Sequence, residues 1–359
     1  MHKQALVLLG ALALGGCGAA KVEMYRGDAA HSGVYSGGVS ALNRLEWKFD
    51  SKSPIKAPSV ISNGIAYFGN TAGYLFAVDT KNGKEKWRFK AEGPIGGAAA
   101  ISGSIAYVGS HDGKVYAIDI ATGQQVWKLA TGGSITTSPA LVDGVLYIGN
   151  VAGQLYAIDT ASGSERWVFE AGDAIYSSPA IAGGLVFFGS NNMNLFAVEA
   201  TSGNERWRFT TGGKVSASPA VDGGVVYIGS QDNALYAIEI ATGQQKWRYR
   251  TAAEINGAVS VDGGMIYVAS RDHQLYAIDA STQRPKWKFK TGDWVVAAPV
   301  AGSGTVFVGS YDKKIHAINS SNGEKRWELA TQGAIVESAV IDGNRIYFGS
   351  SDGFYYAVR

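Results

Sequence analysis

Tryptophan recurs along this chain at a constant interval of 40 residues, and this regularity constrains the fold more than any other feature. Aromatic residues from Tyr67 to Tyr347 and alanines from Ala77 to Ala357 follow the same interval. A fixed period of this length indicates a repeat protein in which each repeat is one supersecondary unit that packs on its neighbours. The eight periodic tryptophans, from which only Trp294 stands apart, are Trp47, Trp87, Trp127, Trp167, Trp207, Trp247, Trp287 and Trp327.

Each repeat predicts four short strands separated by tight turns. In the third repeat, Asp143-Gly144, Ala152-Gly153 and Ser162-Gly163 are turn signals. The apolar spacing of 3.6 residues that a helix needs is absent, and glycine, with 48 of 359 residues, recurs every few positions. A four-stranded sheet repeated every 40 residues predicts the blades of a β-propeller. The strands predicted for the third repeat are 138–142, 145–150, 154–159 and 165–169.

The two ends of the repeat array predict a closed ring. Trp47 precedes the first set of three strands, and the last set, 337–358, has no fourth strand after it. Segment 44–49 is therefore expected to pair with the last three strands, which removes the exposed edges of an open array. The predicted fold is an all-β, eight-bladed propeller over residues 45–359, with four antiparallel strands per blade, closed by its N-terminal strand.

The N-terminal residues are interpreted as a targeting signal. Lys3 precedes a ten-residue apolar run, 5–14, which is too short to span a bilayer but is typical of a secretory signal peptide over residues 1–16. The run ends in Leu14-Gly15-Gly16-Cys17, which resembles a bacterial lipobox. That resemblance implies a lipidated Cys17 and an anchor in the outer membrane, facing the periplasm. A plain signal peptide with a chance cysteine is the alternative.

Residues 17–44 are rich in glycine, alanine and serine, and we expect them to form a lipidated N-terminus and tether. Part of this segment, residues 24–28, is an additional candidate for contact with the propeller. Cys17 is the only cysteine, which excludes an intrachain disulfide, a CxxC redox pair and a cysteine-based zinc site.

Charge and motifs exclude several classes of function. The formal net charge is +2, so no electrostatic case exists for nucleic acid. The sequence has no HExxH, GxSxG, P-loop or Rossmann fingerprint, and we expect neither catalytic residues nor a metal site. Five aspartates that recur at one turn are interpreted as turn residues rather than calcium ligands: Asp112, Asp232, Asp272, Asp312 and Asp352.

The pattern Ala-x-Asp-x-x-[Ser/Thr/Asn]-Gly-x-x-x-Trp resembles the tryptophan-docking repeat of propellers of the pyrroloquinoline-quinone (PQQ) type. It reads Ala157, Asp159, Ser162, Gly163 and Trp167 in the third repeat. The resemblance covers nearly the whole chain after Cys17. It implies that the periodic tryptophans wedge between neighbouring blades and are structural.

Two branches of this family differ in function. Quinoprotein dehydrogenases carry long inserted loops, a vicinal disulfide and a calcium-plus-quinone site, whereas this chain has no long insertion and no second cysteine. We therefore expect no cofactor, and both PQQ and calcium are disfavoured. BamB-like lipoproteins are compact propellers that help to assemble β-barrel proteins, and the size and the lipobox resemble this branch. Its docking loops are longer than 171–176 and 211–216 here, so no partner residue is carried over.

Variation within an otherwise regular repeat indicates a candidate binding face. Two residues after the aliphatic start of each innermost strand, a ring of small side chains is expected to crowd the central channel, and Glu337 is its one carboxylate. Trp294 stands outside the periodic series, as an interface anchor would. A water-filled channel with solvated charges is the alternative. The candidate face comprises Lys56, Tyr176, Lys214, Glu254, Asn256, Trp294 and Glu337.

Two functional classes remain open. The first is a non-catalytic, lipid-anchored scaffold whose partner is the β-barrel assembly machinery or another envelope protein, and which is a monomeric propeller. The second is a periplasmic propeller, related to quinoprotein dehydrogenases, that binds a small ligand or cofactor at the mouth of the channel. The missing cysteine pair and the missing insertions favour the first.

Overall fold

The computed structural model describes residues 22–42 and 44–359, which form eight four-stranded antiparallel blades arranged in a ring. The predicted eight-bladed fold is therefore confirmed. Cys17 and the predicted signal peptide lie outside the described residues. No helix in the described part of the chain is long and apolar enough to cross a membrane.

The first four blades each run from an innermost to an outermost strand in chain order. Blade 1 comprises β4 (Val60–Ser62), β5 (Ile65–Gly69), β6 (Tyr74–Asp79) and β7 (Glu85–Lys90). Blade 2 comprises β8 (Ala100–Ser102), β9 (Ile105–Gly109), β10 (Lys114–Asp119) and β11 (Gln125–Ala130). Blade 3 comprises β12 (Ala140–Val142), β13 (Val145–Gly149), β14 (Gln154–Asp159) and β15 (Glu165–Glu170). Blade 4 comprises β16 (Ala180–Ala182), β17 (Leu185–Gly189), β18 (Asn194–Glu199) and β19 (Glu205–Thr210).

The remaining blades follow the same order except at the closure. Blade 5 comprises β20 (Ala220–Asp222), β21 (Val225–Gly229), β22 (Ala234–Glu239) and β23 (Gln245–Arg250). Blade 6 comprises β24 (Ser260–Asp262), β25 (Met265–Ser270), β26 (Gln274–Asp279) and β27 (Arg284–Lys290). Blade 7 comprises β28 (Val300–Gly302), β29 (Thr305–Gly309), β30 (Lys314–Asn319) and β31 (Lys325–Ala330). Blade 8 comprises β32 (Val340–Asp342), β33 (Arg345–Gly349), β34 (Phe354–Val358) and β3 (Leu45–Asp50), and two short strands precede it, β1 (Val22–Glu23) and β2 (Val34–Tyr35).

Burial explains the composition of each strand. The second and third strands of a blade are buried on both faces because neighbouring blades cover them, and they are accordingly almost continuously apolar. The outermost strands alternate between exposed and half-buried residues. The periodic glycine at the end of the second strand admits an aliphatic side chain of the next blade, since a Cβ on Gly149 would lie 2.4 Å from Cγ2 of Ile175.

The periodic tryptophans dock one blade onto the next. Trp127 Nε1 donates a hydrogen bond of 3.1 Å to the carbonyl of Thr160, 33 residues later in the next blade. Its ring lies over Gly163, whose φ is +71° and where a Cβ would lie 2.6 Å from Trp127 Cδ2. The glycine of the repeat is therefore required both by its backbone conformation and by the indole. The same bond, with the same spacing, is made by Trp47, Trp87, Trp167, Trp207 and Trp287.

The ring closes as the sequence predicts. β3 pairs antiparallel with β34, and Trp47 lies opposite Ala357. Arg44 and Arg359 exchange two backbone hydrogen bonds of 2.9 and 3.0 Å. Arg345 Nε lies 2.5 Å from Oε2 of Glu46, whose side chain is almost fully buried. The closure therefore combines a sheet ladder with a shielded ion pair.

The described part of the expected tether, residues 22–42, is bound to the propeller, which agrees with the alternative for residues 24–28 and corrects the expectation of a tether over the rest of this segment. The segment follows the inner edges of the innermost strands around the ring. Its carbonyls at Ala29, Ala30, Ser32 and Gly33 accept hydrogen bonds of 2.6 to 2.9 Å from the backbone amides of Ile181, Val221, Val261 and Ala301. Edge amides need partners whatever the side chains are, so a segment of small residues suffices. We call residues 22–42 the N-terminal strap.

The strap also buries polar side chains at the centre of the ring. The Arg26 guanidinium is 2% exposed and donates to the carbonyls of Val259 and Pro299 at 2.8 and 3.2 Å. His31 is fully buried, and its ring meets that of Tyr25 edge-on, with centroids 5.2 Å apart. The strap therefore closes one end of the channel as an integral part of the core.

Candidate functional site

The two faces of the ring carry different connections. The loop face contains the turns between second and third strands and the connections between blades, as the bond from Val151 N to Ser134 O shows. The turn face contains the other two kinds of turn, as the bond from Thr160 N to Gly144 O shows. All seven residues of the predicted candidate face lie on the blade-to-blade connections of the loop face.

The central channel opens on the loop face and is blind. Its mouth is a cavity of about 420 Å³ whose lining includes Lys56, Tyr176, Asn256 and Glu337. Below it lies a compartment of about 130 Å³ that shares the last three of these residues and is also lined by Tyr25 of the strap. The structure therefore brings four of the seven predicted residues around one cavity.

Glu337 is the acidic group at the bottom of this cavity. Burial raises the pKa of its carboxyl to about 8, and no hydrogen bond or ion pair to that carboxyl forms within residues 22–42 and 44–359. Asn256 Oδ1 and Thr136 Oγ1, which also line the cavity, are buried atoms without a hydrogen-bond partner among the described residues. The cavity thus presents unused hydrogen-bonding groups to whatever enters it.

Charged and titratable neighbours surround this carboxyl. Burial raises the pKa of Tyr25 at the floor, on which Arg26 and Glu337 act with opposite signs. His111 lines the mouth, and burial lowers the pKa of its imidazole. Lys56 is exposed at the rim. The cavity therefore combines a protonatable acid with cations above and below it.

The expectation that small residues crowd the channel is wrong for most of that ring. The ring lies in the irregular segment before each innermost strand, and its small residues are packed against the neighbouring blades. Thr137 Oγ1 donates to the carbonyl of Gly149 at 2.8 Å, and a Cβ on Gly97 would lie 2.3 Å from Thr137 O. Each position of this ring has space for only a small side chain, which explains why the ring consists of small residues. Glu337 cannot fit there and extends into the cavity instead.

A ladder of hydrogen bonds fixes part of the channel wall one residue further along. The amide of Ala98 donates to Ser138 Oγ, that of Ser138 to Ser178 Oγ, and that of Ser178 to Ser218 Oγ, each at 2.9 Å. These bonds link blades at a spacing of 40 residues. The wall of the deeper compartment is therefore held rigidly on this side.

Trp294 lies in an exposed aromatic cluster beside the cavity. It is 42% exposed and meets Tyr311, which is 41% exposed, edge-on with ring centroids 5.8 Å apart. The Arg271 guanidinium lies 4.8 Å from the Trp294 ring centroid and 2.9 Å from a carboxylate oxygen of Glu254. We call Glu254, Arg271, Trp294 and Tyr311 the Trp294 cluster. Of the seven predicted residues, Lys214 alone lines neither cavity compartment and contacts no member of this cluster.

Sequence reasoning missed Tyr311 and Arg271, and it included Tyr25 only as part of segment 24–28, without a role in the channel. A signal for the first two was present, because they occupy one turn position that varies in every repeat. Tyr25 gave no signal, since nothing in a segment outside the repeats shows which residue reaches the channel. The variable position is occupied by Thr71, His111, Val151, Asn191, Gln231, Arg271, Tyr311 and Ser351.

The recurrent turn aspartates serve the fold, as predicted. Asp112 Oδ2 accepts from the Tyr116 hydroxyl at 2.7 Å and from the backbone amide of Glu92 at 2.9 Å. In blade 7, His316 Nε2 takes the place of the tyrosine hydroxyl, 2.9 Å from Asp312. These carboxylates join the turn to the preceding blade-to-blade connection by hydrogen bonds.

The cavity fits a calcium-plus-quinone group poorly. Calcium takes six to eight oxygen ligands, several of them carboxylates. Glu337 is the one acidic residue in the cavity lining, and no cluster of three or more histidine, cysteine, aspartate or glutamate side chains suited to a metal occurs where the structure describes the chain. The absence of a cofactor therefore remains a prediction from the residue types.

Comparison with family models identifies the repeats. The model of the PQQ_2 family, described as outer membrane protein assembly factor BamB, matches residues 35–168, 111–197, 170–260, 192–299 and 250–359. Together these matches span nearly all the described chain. No curated protein sequence matches the chain.

Solved structures share the fold at low sequence identity. BamB from Moraxella catarrhalis is 18% identical, with a TM-score of 0.77 over 88% of this chain and 99% of that chain. Quinohemoprotein alcohol dehydrogenase from Comamonas testosteroni is 15% identical, with a TM-score of 0.78 over 93% of this chain and 80% of that chain. The computationally designed protein Ika8 is 18% identical, with a TM-score of 0.78 over 89% and 99%. At these identities the likeness shows the fold alone.

Proposed function

The chain belongs to the PQQ_2 family of outer membrane protein assembly factor BamB, and from this premise we propose that it is a non-catalytic scaffold that assists the assembly of β-barrel proteins into the outer membrane. In this proposal Cys17 carries the lipid anchor and the propeller lies in the periplasm. Its partner is the β-barrel assembly machinery or another envelope protein.

The Trp294 cluster is the observation that carries this proposal. Exposed tryptophan and tyrosine held in a fixed arrangement are typical of the residues that contribute most to protein interfaces. Here Tyr311 and the Arg271 guanidinium hold the indole on two sides before any partner arrives. A pre-organised anchor loses little side-chain entropy on binding. The loop face therefore offers a ready-made contact for a protein partner.

The dimensions of the chain also support a scaffold. The chain covers 99% of the length of the Moraxella catarrhalis BamB, compared with 80% of the Comamonas testosteroni dehydrogenase. Every blade-to-blade connection is short, so no insertion within residues 44–359 covers the loop face. A bare, regular ring with one aromatic cluster suits docking better than it suits enclosure of a substrate.

Photo-crosslinking in native membranes tests this function. A photoreactive amino acid replaces Tyr311 in the full-length chain, and the control replaces Val126, which is exposed on the outermost strand of blade 2. We expect the label at position 311 to capture a β-barrel assembly protein and the label at position 126 to capture none. Equal capture at both positions, or none at 311, contradicts the proposal.

A small ligand in the blind cavity is a second candidate function, favoured by Glu337 and by the unpartnered Asn256 Oδ1. For such a ligand the chain provides a polar, partly buried cavity with the Glu337 carboxyl at its base. Calorimetric titration with PQQ and calcium, together with a dye-reduction assay, tests the cofactor version. Saturable binding that Glu337→Gln weakens supports this second function. If neither heat of binding nor dye reduction is detected, the scaffold is the one function that remains supported.

A further inference from the structure

The strap enters the ring from the turn face, close to the axis. β1 pairs antiparallel with β8, and its register places Val22 opposite Ser102 and Glu23 opposite Ile101. Ser102 is the last residue of β8 before the hairpin turn that leads to Ile105. The described chain therefore begins at Val22 on the turn face and runs inwards from there.

Only a short stretch of chain separates this point from Cys17. Five residues, 17–21, connect Cys17 to Val22 and reach at most about 17 Å when fully extended. The opposite face is much further away. A six-residue strand is about 20 Å long, and the path from the innermost to the outermost strand of a blade adds about 14 Å.

The direct route through the ring is closed. Tyr25, Arg26 and His31 are buried in the centre, so the strap itself fills the channel at its turn-face end. A lipid on Cys17 must therefore pass around the rim to reach the loop face, over about 34 Å or more, which five residues cannot span.

We propose that the turn face is the membrane-facing side of the propeller, and that its partner there is a lipid surface held within about 17 Å of the axis. This orientation rests on the lipid anchor of the proposed function. The loop face, with the Trp294 cluster and the open cavity, then faces away from the bilayer and towards soluble partners.

Anchoring, and not surface charge, holds the turn face at the membrane. Three basic residues next to docking tryptophans are paired there with acidic ones: Lys86 lies 3.3 Å from Asp79, Arg166 2.6 Å from Asp159 and Arg206 3.7 Å from Glu199. Exposed pairs of this kind leave little charge for anionic lipids to attract.

Energy transfer from labelled protein to labelled lipid tests the orientation. Asp222→Cys, in blade 5 on the turn face, and Ala252→Cys, in the connection that follows blade 5 on the loop face, are both exposed. Cys17 is the chain's only other cysteine and is acylated in this proposal, so each engineered thiol takes the donor dye alone. With a lipid acceptor in the membrane, we expect energy transfer from position 222 to be roughly twofold or more that from position 252, because the two faces differ by about 20 Å in height.

A lengthened linker supplies the matched control. Inserting 20 glycine and serine residues between Lys21 and Val22 gives a coil of roughly 25 to 30 Å and should remove the difference between the two labels. Equal transfer, or greater transfer from position 252, in the unmodified chain overturns the orientation alone. Wild-type protein that stays in the soluble fraction, as Cys17→Ser should, overturns the anchor and the orientation with it.

Discussion

Trp327 donates its indole N–H to the carbonyl of Val39, 288 positions away in sequence, over 3.1 Å. The other bonds of this type reach 33 residues ahead, to the turn before the outermost strand. In blade 8 that turn does not exist, because β34 and β3 are not consecutive in the chain. The strap supplies the missing carbonyl, so it completes the docking pattern at the seam of the ring.

Replacing Trp327 with phenylalanine should destabilise the ring more than the same change at Trp247. Both tryptophans are 8% exposed and contact an aromatic ring in the same way, but Trp247 makes no indole hydrogen bond to any of the described residues. The lost bond and the unpaired Val39 carbonyl should cost about 1 kcal/mol more at Trp327, measured as free energy of unfolding in urea. Equal losses would show that the bond to the strap contributes nothing.

Gln283 occupies the turn position that is glycine in the other complete repeats, and this explains the missing bond of Trp247. Its φ is +59°, and a Cβ at the equivalent glycines would lie within 2.8 Å of the docked indole. Gln283→Gly should let Trp247 bond the next blade and raise the free energy of unfolding by about 1 kcal/mol. The reciprocal Gly243→Gln should destabilise, since it displaces Trp207; a neutral result for both variants would refute this explanation.

His31 should make the propeller sensitive to acid. Burial, and then the neighbouring Arg26, lowers the pKa of its imidazole to about 3 from an ordinary value of 6.5. Between these values the unfolded chain binds the proton and the folded chain does not, so stability falls as pH drops below about 6.5, by up to about 1.4 kcal/mol per pH unit.

His31→Asn should flatten this acid limb, because asparagine tolerates the local φ of +57° and does not titrate. The measurement is the unfolding midpoint of both proteins between pH 4 and 8. Above pH 7 the difference between them should be constant. A difference that stays constant down to pH 4 would rule out His31 as the source.

Glu337 should have the opposite pH dependence. Because burial raises the pKa of its carboxyl to about 8, the folded chain holds a proton that the unfolded chain loses near its ordinary value of 4.5. The stability of the wild type therefore falls relative to Glu337→Gln as pH rises from about 4.5 to about 8, and changes no further above that. Melting temperatures of the two proteins at pH 5, 7 and 9 check this, and parallel curves would mean that the carboxyl is solvated.

Trp294→Ala should weaken capture of the partner by roughly 30-fold or more while leaving the melting temperature nearly unchanged. Its side chain is 42% exposed, and the ring contacts that it loses are with the surface residues Tyr311 and Arg271 and not with the core. Pull-down from detergent-solubilised membranes with a dilution series measures the effect. Val126→Ala is the matched control on the outer surface. Undiminished capture by Trp294→Ala would remove the cluster from the interface.

The propeller was predictable from the repeat, because every blade has the same packing requirements at the same sequence positions. A docking tryptophan, a turn glycine and an aliphatic strand entail the same packing wherever they recur, as Trp127, Gly163 and Ile175 show. The strap lacked that redundancy. Its main contacts are backbone hydrogen bonds to strand edges, which place few demands on side chains, so the segment has the composition of a linker.

The candidate site was predictable where it departed from the repeat. Glu337 and Trp294 stood out against small or regular neighbours, and the structure places both on one face. The orientation of the small-residue ring was assigned to the wrong side because a sequence does not give the phase of an irregular segment. The blind end of the channel depends on Tyr25, whose position only the folded chain reveals.

The pairing of β3 with β34 also determines when the ring can close during folding. The nascent chain holds its opening strand unpaired until residues 354–358 emerge, so it passes through an open arc with two bare sheet edges. During that interval the same ladder can form between two copies as a domain-swapped pair. Because β34 is synthesised last, the pairing of β3 with β34 is the step that decides between a closed monomer and a domain-swapped dimer.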